Sequence, residues 1–178
     1  MHKNSSKTTS HANIQDVQFL SSLPIEITRN FNAPIGRIWK SWCSAEMMKQ
    51  WFGPENYTCP EAQINFEEGG KYLVAMEDMN GTVAWGTGVY KEIDPFQRIV
   101  LLDAFSDAHG NVISANKAGM PGDWESDYCT ITVDFQSTPE DGTIMTLKHE
   151  GIPPEMHDEC LQGWSQSFDK LKKLVEGN

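Results

Sequence analysis

The C-terminal end of the chain constrains the fold most. Leu161, Trp164, Phe168, Leu171 and Val175 recur at spacings of three, four, three and four. That is one apolar stripe on a single long helix. Pro153-Pro154 opens the element, Gly177 closes it, and Lys170, Lys172 and Lys173 sit where the helix dipole is negative. A helix with one apolar face must lie on an apolar partner. The partner is the run of strands before it. Residues 57–66, 71–78, 82–93, 98–104, 126–136 and 143–150 all carry strand patterns. Cys129, Ile131, Val133 and Phe135 alternate with Thr130, Thr132 and Asp134. Asn80-Gly81 and Asp141-Gly142 are hairpin turns.

The N-terminal third adds one strand and two short helices. Ile25 and Ile27 alternate with polar residues over 24–31, and Asn32-Ala33-Pro34 resets the pattern. Pro34 suits a first helical position, where a missing N–H is harmless. Ile35, Ile38, Trp39 and Trp42 follow at helical spacing. Ser44 is an N-cap for a second helix through Met47, Met48 and Trp51, stopped by Gly53-Pro54. The order β, α, α, hairpins, long helix predicts an α+β fold. A curved antiparallel sheet of six to seven strands wraps around the C-terminal helix. One helix cannot fill so wide a concave face, so a cavity is expected. Residues 1–22, rich in Ser, Thr and Asn without periodicity, read as a flexible tail, and 23–176 as one domain.

Charge narrows the partners. The chain has 14 basic and 25 acidic residues, a net charge of −11. Residues 103–159 hold twelve acids against Lys117 and Lys148 alone. Such a surface repels polyanions, which excludes nucleic acid as main partner and disfavours an anionic membrane surface. No apolar run approaches the ~20 residues of a membrane span, and no secretory leader is recognisable. The four cysteines, Cys43, Cys59, Cys129 and Cys160, form no C-x-x-C pair. They read as reduced thiols of a cytoplasmic protein, with a Cys59–Cys129 bridge left open.

Specific motifs carry a resemblance. The run I-T-R-N-F-N-A-P followed by I-W-K-S-W looks like the opening of helix-grip domains. Ser44 to Pro54, S-A-E-x-x-x-x-W-F-G-P, resembles the segment closing their two short helices. Asp103-Ala104-Phe105 ends the middle strand as is common there. Gly163 to Leu171 resembles the G-W-S-Q-S-L-D-x-L signature of the bacterial single-domain branch. The chain thus resembles, over about residues 24–175, the family named for the activator of the heat-shock protein 90 ATPase. That family lies within the START-related (SRPBCC, pollen-allergen-like) superfamily. The resemblance implies a helix-grip fold with a hydrophobic cavity between sheet and C-terminal helix. It does not fix an activity. The extra N-terminal domain of the eukaryotic co-chaperones is not expected here.

Three functions follow as expectations. The first is binding of a small hydrophobic molecule, without cofactor or metal. Its expected walls are Trp39, Trp51, Phe52, Met156, Cys160 and Trp164 from helices. Tyr72, Val74, Met76, Trp85, Ile131, Val133, Met145, Leu147 and His149 would come from strands. Residues 106–125, without a period and holding Gly110, Gly119 and Gly122, read either as a lid, with Met120 and Trp124 as its apolar contacts, or as a disordered insertion. The second is a cavity enzyme of cyclase or hydrolase type, using His149 or an acid such as Glu77 or Asp78. The third is a co-chaperone-like interaction domain, with a chaperone as partner and the acidic face as contact surface. Edge strands leave a homodimer open. His157 and Cys160 at i, i+3 lack a third ligand at motif spacing, so no metal site is expected.

Overall fold

A computed structural model describes residues 23–177. The stretch read as a tail, 1–22, lies outside the described residues. The chain runs β1 (Ile25–Phe31), α1 (Ile35–Cys43), α2 (Ala45–Trp51), β2 (Tyr57–Thr58), β3 (Ala62–Ile64), β4 (Lys71–Asp78), β5 (Val83–Asp94), β6 (Arg98–Ser106), β7 (Cys129–Ser137), β8 (Thr143–Glu150), a 3-10 turn (Pro154–Met156) and α3 (His157–Glu176). All strands form one antiparallel sheet in the order β1-β8-β7-β6-β5-β4-β2, with β3 also on β4. The eight strands fill seven positions across the sheet, because β2 and β3 share one edge of β4. The segment expected as one strand over 57–66 is split, and Pro60, which cannot donate to a ladder, lies between the pieces.

Alternation decides which side chains meet the helix. On β7, Cys129, Ile131, Val133 and Phe135 are buried while Thr130, Thr132 and Asp134 are half-exposed. The register sets Leu147 against Val133, Met145 against Phe135 and His149 against Ile131, so these share the concave face. A bulge between Tyr90 and Glu92 interrupts the β5–β6 ladder, a device that bends a strand and curls its sheet. Pro34 ends up as the cap of α1 rather than its first residue. Ser44 caps α2 as its type suggests, its Oγ accepting from the Met47 N–H at 3.3 Å.

Beneath the later turns of α3 the core is solid. Phe168, Leu171 and Val175 of α3 are fully buried, and so are Ile38, Trp51, Val133, Met145 and Leu147. Trp42 and Trp51 fill the space beside them, each about 6 Å from the Phe168 ring. The stripe expected on α3 is displaced at its first turns. Leu161 is 40% exposed, while Cys160, Gly163, Trp164 and Ser167 face inward. There the helix borders an opening and meets the sheet at His149.

Candidate functional site: a cavity under the start of the last helix

The inward-facing residues of the first turns of α3 bound a cavity of about 290 Å³, partly open to solvent. Met156, Cys160, Gly163, Trp164 and Ser167 form its roof. Its floor is the end of the sheet: Met76, Ala84, Asp103, Phe105, Cys129 and His149. Phe52, Pro54 and Tyr57 close one side. The segment between β6 and β7 closes the other with Ala115, Met120, Trp124, Ser126 and Asp127. Met120, Trp124 and Cys160 also pack on a small apolar cluster of Ile25, Cys129, Ile152 and Met156, separate from the main core.

That segment is ordered by its own polar groups. The Asp107 carboxylate accepts from the N–H of His109 and Asn111 and from the Asn111 amide, a compact turn at its start. Ile113 donates back to the Phe105 carbonyl at 2.9 Å, and Trp124 stands edge-on to the Phe105 ring at 5.4 Å. Gly122 has φ +98°, and a Cβ there would lie 2.8 Å from Pro153 Cγ, ahead of α3. Gly122→Ala should therefore lift this strap. We expect a loss of about 1–3 kcal/mol in denaturation and faster proteolysis between residues 107 and 128.

Eight expected wall residues meet at the cavity: Phe52, Met76, Met120, Trp124, His149, Met156, Cys160 and Trp164. Nine do not line it. Trp51, Val133, Met145 and Leu147 are fully buried under the rest of α3, and Ile131 and Val74 lie in the same core. Trp39 packs on Phe66, Phe96 and Phe135 at the far end. Tyr72 is buried with its ring turned to Asp103. Trp85 has the wrong parity: Ala84 lines the cavity, so Trp85, the next residue of β5, points to the opposite face. The acids named for a cavity enzyme are elsewhere too. Asp78 accepts from the N–H groups of Asn80 and Thr82 and builds the hairpin turn, and Glu77 does not reach the cavity.

The cavity acid is Asp103. Ile99, Leu101, Asp103 and Phe105 have the same parity on β6, so a carboxylate stands in an otherwise apolar row. It is reached by an unusual contact. Tyr72 on β4, Gly88 on β5 and Asp103 on β6 are register partners, and the Tyr72 ring crosses over Gly88 to donate its hydroxyl proton to Asp103 Oδ1. A Cβ on residue 88 would lie 2.5 Å from that ring. The missing side chain at Gly88 thus permits this close approach. Burial pushes the Asp103 carboxyl up to about 6, and the Tyr72 hydrogen bond partly offsets it.

His149 sits opposite in chemistry. Its Nδ1 accepts the Trp164 indole N–H at 3.1 Å, which places the ring proton on Nε2. Nε2 is buried without a partner among the described residues. Burial drives the imidazole down to about 4 and the neighbouring Cys160 thiol up to about 12. Cys160 Sγ lies 3.6 Å from His149 Nδ1, yet both groups are neutral near pH 7, so the pair holds no thiolate for nucleophilic attack. His157 is not with them; its Nε2–H donates to the Ile152 carbonyl at 2.9 Å. No group of three or more metal-ligating side chains is found among the described residues.

Asp103 and His149 pull stability in opposite directions with pH. Asp103 titrates near 6 in the fold against 3.8 for a free carboxyl, so its contribution is lost as pH rises through about 4 to 6. His149 titrates near 4 against 6.5, so its contribution is lost as pH falls through about 6.5 to 4. The two nearly cancel. Relative to the parent, Asp103→Asn should lose stability more steeply on acidification across this window, and His149→Asn less steeply. Urea melts at several pH values read this directly.

The Gly163–Leu171 motif holds the roof in place. Gln166 accepts the Glu55 N–H at 3.1 Å, and Lys170 Nζ donates to the carbonyls of Pro54 and Tyr57. Ser165 accepts from Arg29 of β1, and Ser167 donates to the Gly163 carbonyl. The motif thus ties α3 to the α2–β2 connection on one side and to β1 on the other. The sequence also hid Tyr57, Phe105, Cys129, Ile152 and Gly163 as wall residues; for Phe105 and Cys129 the two-residue period was the available signal.

Comparison with known proteins agrees with this architecture. A protein of Chromobacterium violaceum has a solved structure of the same fold, at TM-score 0.71 and 25% identity over 87% of this chain and 98% of its own. A protein of Arthrobacter aurescens matches at TM-score 0.73 and 22% identity, over 89% of both chains. The AHSA1 protein from Silicibacter pomeroyi matches at TM-score 0.69 and 16% identity, over 86% of this chain and 97% of its own. No curated protein sequence matches. The family model for "Activator of Hsp90 ATPase homolog 1-like protein" matches residues 32–176, and the chain belongs to that family.

Proposed function

We propose that the protein binds a small, mainly apolar molecule in the cavity between the sheet and the start of α3. The carrying observation is the cavity itself: about 290 Å³ with mainly apolar walls that include five aromatic rings and three methionines. Cores are close-packed, and a void of this size forfeits the contacts its lining would otherwise make. A dry apolar void of about 150 Å³ takes up benzene, so this one suits a molecule of about two rings. The neutral Cys160–His149 pair supports binding over catalysis, and the strap over 107–128 supports a ligand that is covered once inside. Within the described residues no helix is long and apolar enough to cross a membrane.

A blocking variant tests this. At Gly163 a Cβ meets only Pro54 Cγ, at an ordinary 3.5 Å, so a side chain can be started there, and the ring of Gly163→Phe then takes up cavity space. Ethylnaphthalene titrated calorimetrically should bind the parent in a saturable way and should not bind Gly163→Phe. Equal binding by parent and variant contradicts the proposal.

A further inference from the structure

The cavity has a polarity of its own. Its ionisable acids are Asp103, Asp127 and Glu159, and no lysine or arginine is among its lining residues. Asp103 stands apart from the other two because it lies within the apolar floor. Its Oδ1 accepts from Tyr72. No hydrogen bond reaches its Oδ2 from the described residues, and this oxygen is not among the unpaired atoms sealed in the interior, which are Ser106 Oγ and His149 Nε2. One carboxylate oxygen is therefore open to the cavity and lacks a donor.

The groups facing Asp103 give it no countercharge. From β4 comes the Tyr72 hydroxyl, from β7 the Cys129 thiol and from α3 the Cys160 thiol. Both thiols are pushed up to about 12 and stay neutral, and burial keeps the Tyr72 hydroxyl protonated. His149 on β8 is neutral, and Glu159 on α3 and Asp127 on the strap add negative charge. Phe52, Tyr57, Phe105, Trp124 and Trp164 line the same cavity as this acid. Rings attract cations through their negative faces. Carboxylate plus rings is the chemistry that receives an ammonium group on an apolar body.

Resting on the binding reading above, we infer that the cavity takes an apolar amine whose N–H donates to Asp103 Oδ2, and that it rejects apolar carboxylates. The physical case is preorganisation. The fold already withdraws most of Asp103 from solvent, so part of the desolvation cost is met before the ligand arrives. A charge-assisted hydrogen bond in a low-dielectric site then adds to the apolar contact. A carboxylate ligand would meet three acids and no cation.

Three probes of one shape separate the possibilities: naphthylmethylamine, ethylnaphthalene and naphthoate, titrated calorimetrically at about pH 7.5. The amine should bind about tenfold tighter than the hydrocarbon, and naphthoate more weakly than either. Asp103→Asn keeps an acceptor for Tyr72 and should bring the amine down to the hydrocarbon while leaving the hydrocarbon unchanged. If that variant does not fold, the parent at about pH 5 serves instead: Asp103 is then protonated, the amine is still charged, and its advantage should shrink. Amine and hydrocarbon binding equally would mean that water satisfies Oδ2, which overturns this inference and leaves the cavity reading intact. An amine advantage that survives both Asp103→Asn and low pH overturns the assignment to Asp103. No binding by any probe overturns both readings.

Discussion

Phe168→Ala is expected to lower stability by about 3–5 kcal/mol, a fall of about 6–20 °C in melting temperature for a domain of this size. The ring is fully buried. It lies 5.5 Å from Trp164, 6.2 Å from Trp51 and 6.4 Å from Trp42, so three indoles lose one face of their packing at once. Large rings on three different helices cannot all collapse into the void, which places the cost in the upper part of that range. Such a loss is a large share of the roughly 5–15 kcal/mol that domains possess. The same change should loosen the cavity roof, because Trp164 then has Phe168 neither as stop nor as stack. Circular dichroism melts measure the first effect. A red shift of the indole emission measures the second.

Gly88→Ala is the other large effect, and its origin is different. The new methyl would lie 2.0 Å from the Leu102 carbonyl oxygen on β6 and 2.5 Å from the Tyr72 ring. One obstacle is the backbone of the adjacent strand, which cannot swing aside as a flexible side chain can. We expect a loss at or above the upper end of the usual 1–3 kcal/mol for overpacking, about 3 kcal/mol or more. The ring must also leave its crossing, and Asp103 then loses its donor. Its carboxyl should rise above about 6, since the Tyr72 hydrogen bond is what holds it down. Tyr72→Phe separates the two consequences. It should reproduce the rise at Asp103, seen in the carboxyl carbon NMR titration, with a far smaller loss of stability.

These residues also show what the sequence discloses and what it conceals. Alternation on β7 and β8, the two hairpin turns and the stripe of Phe168, Leu171 and Val175 are local signals, and they carry the architecture. The division between packed core and cavity is not local. Met145 and Leu147 share a face with His149, yet the first two lie in the packed core under α3 while His149, held by Cys160 and Trp164, borders the cavity. That difference depends on where the helix begins relative to the strands, and no periodicity records it. Asp103 was missed in favour of Glu77 and Asp78, because residues 98–104 read as one apolar run with apolar neighbours on both faces. The crossing of Tyr72 over Gly88 was not legible, because it joins three strands far apart in sequence. Trp85 shows a simpler failure: a large aromatic attracts attention, but a shift of one position on a strand turns it to the other face.

Native mass spectrometry of the protein purified from its own source, beside a denatured control and the Gly163→Phe variant, reads whether the cavity is occupied in the working protein. A small non-protein mass is expected on the parent, released on denaturation and missing from Gly163→Phe. A bare parent chain, or the same adduct on the blocked variant, would contradict that occupancy.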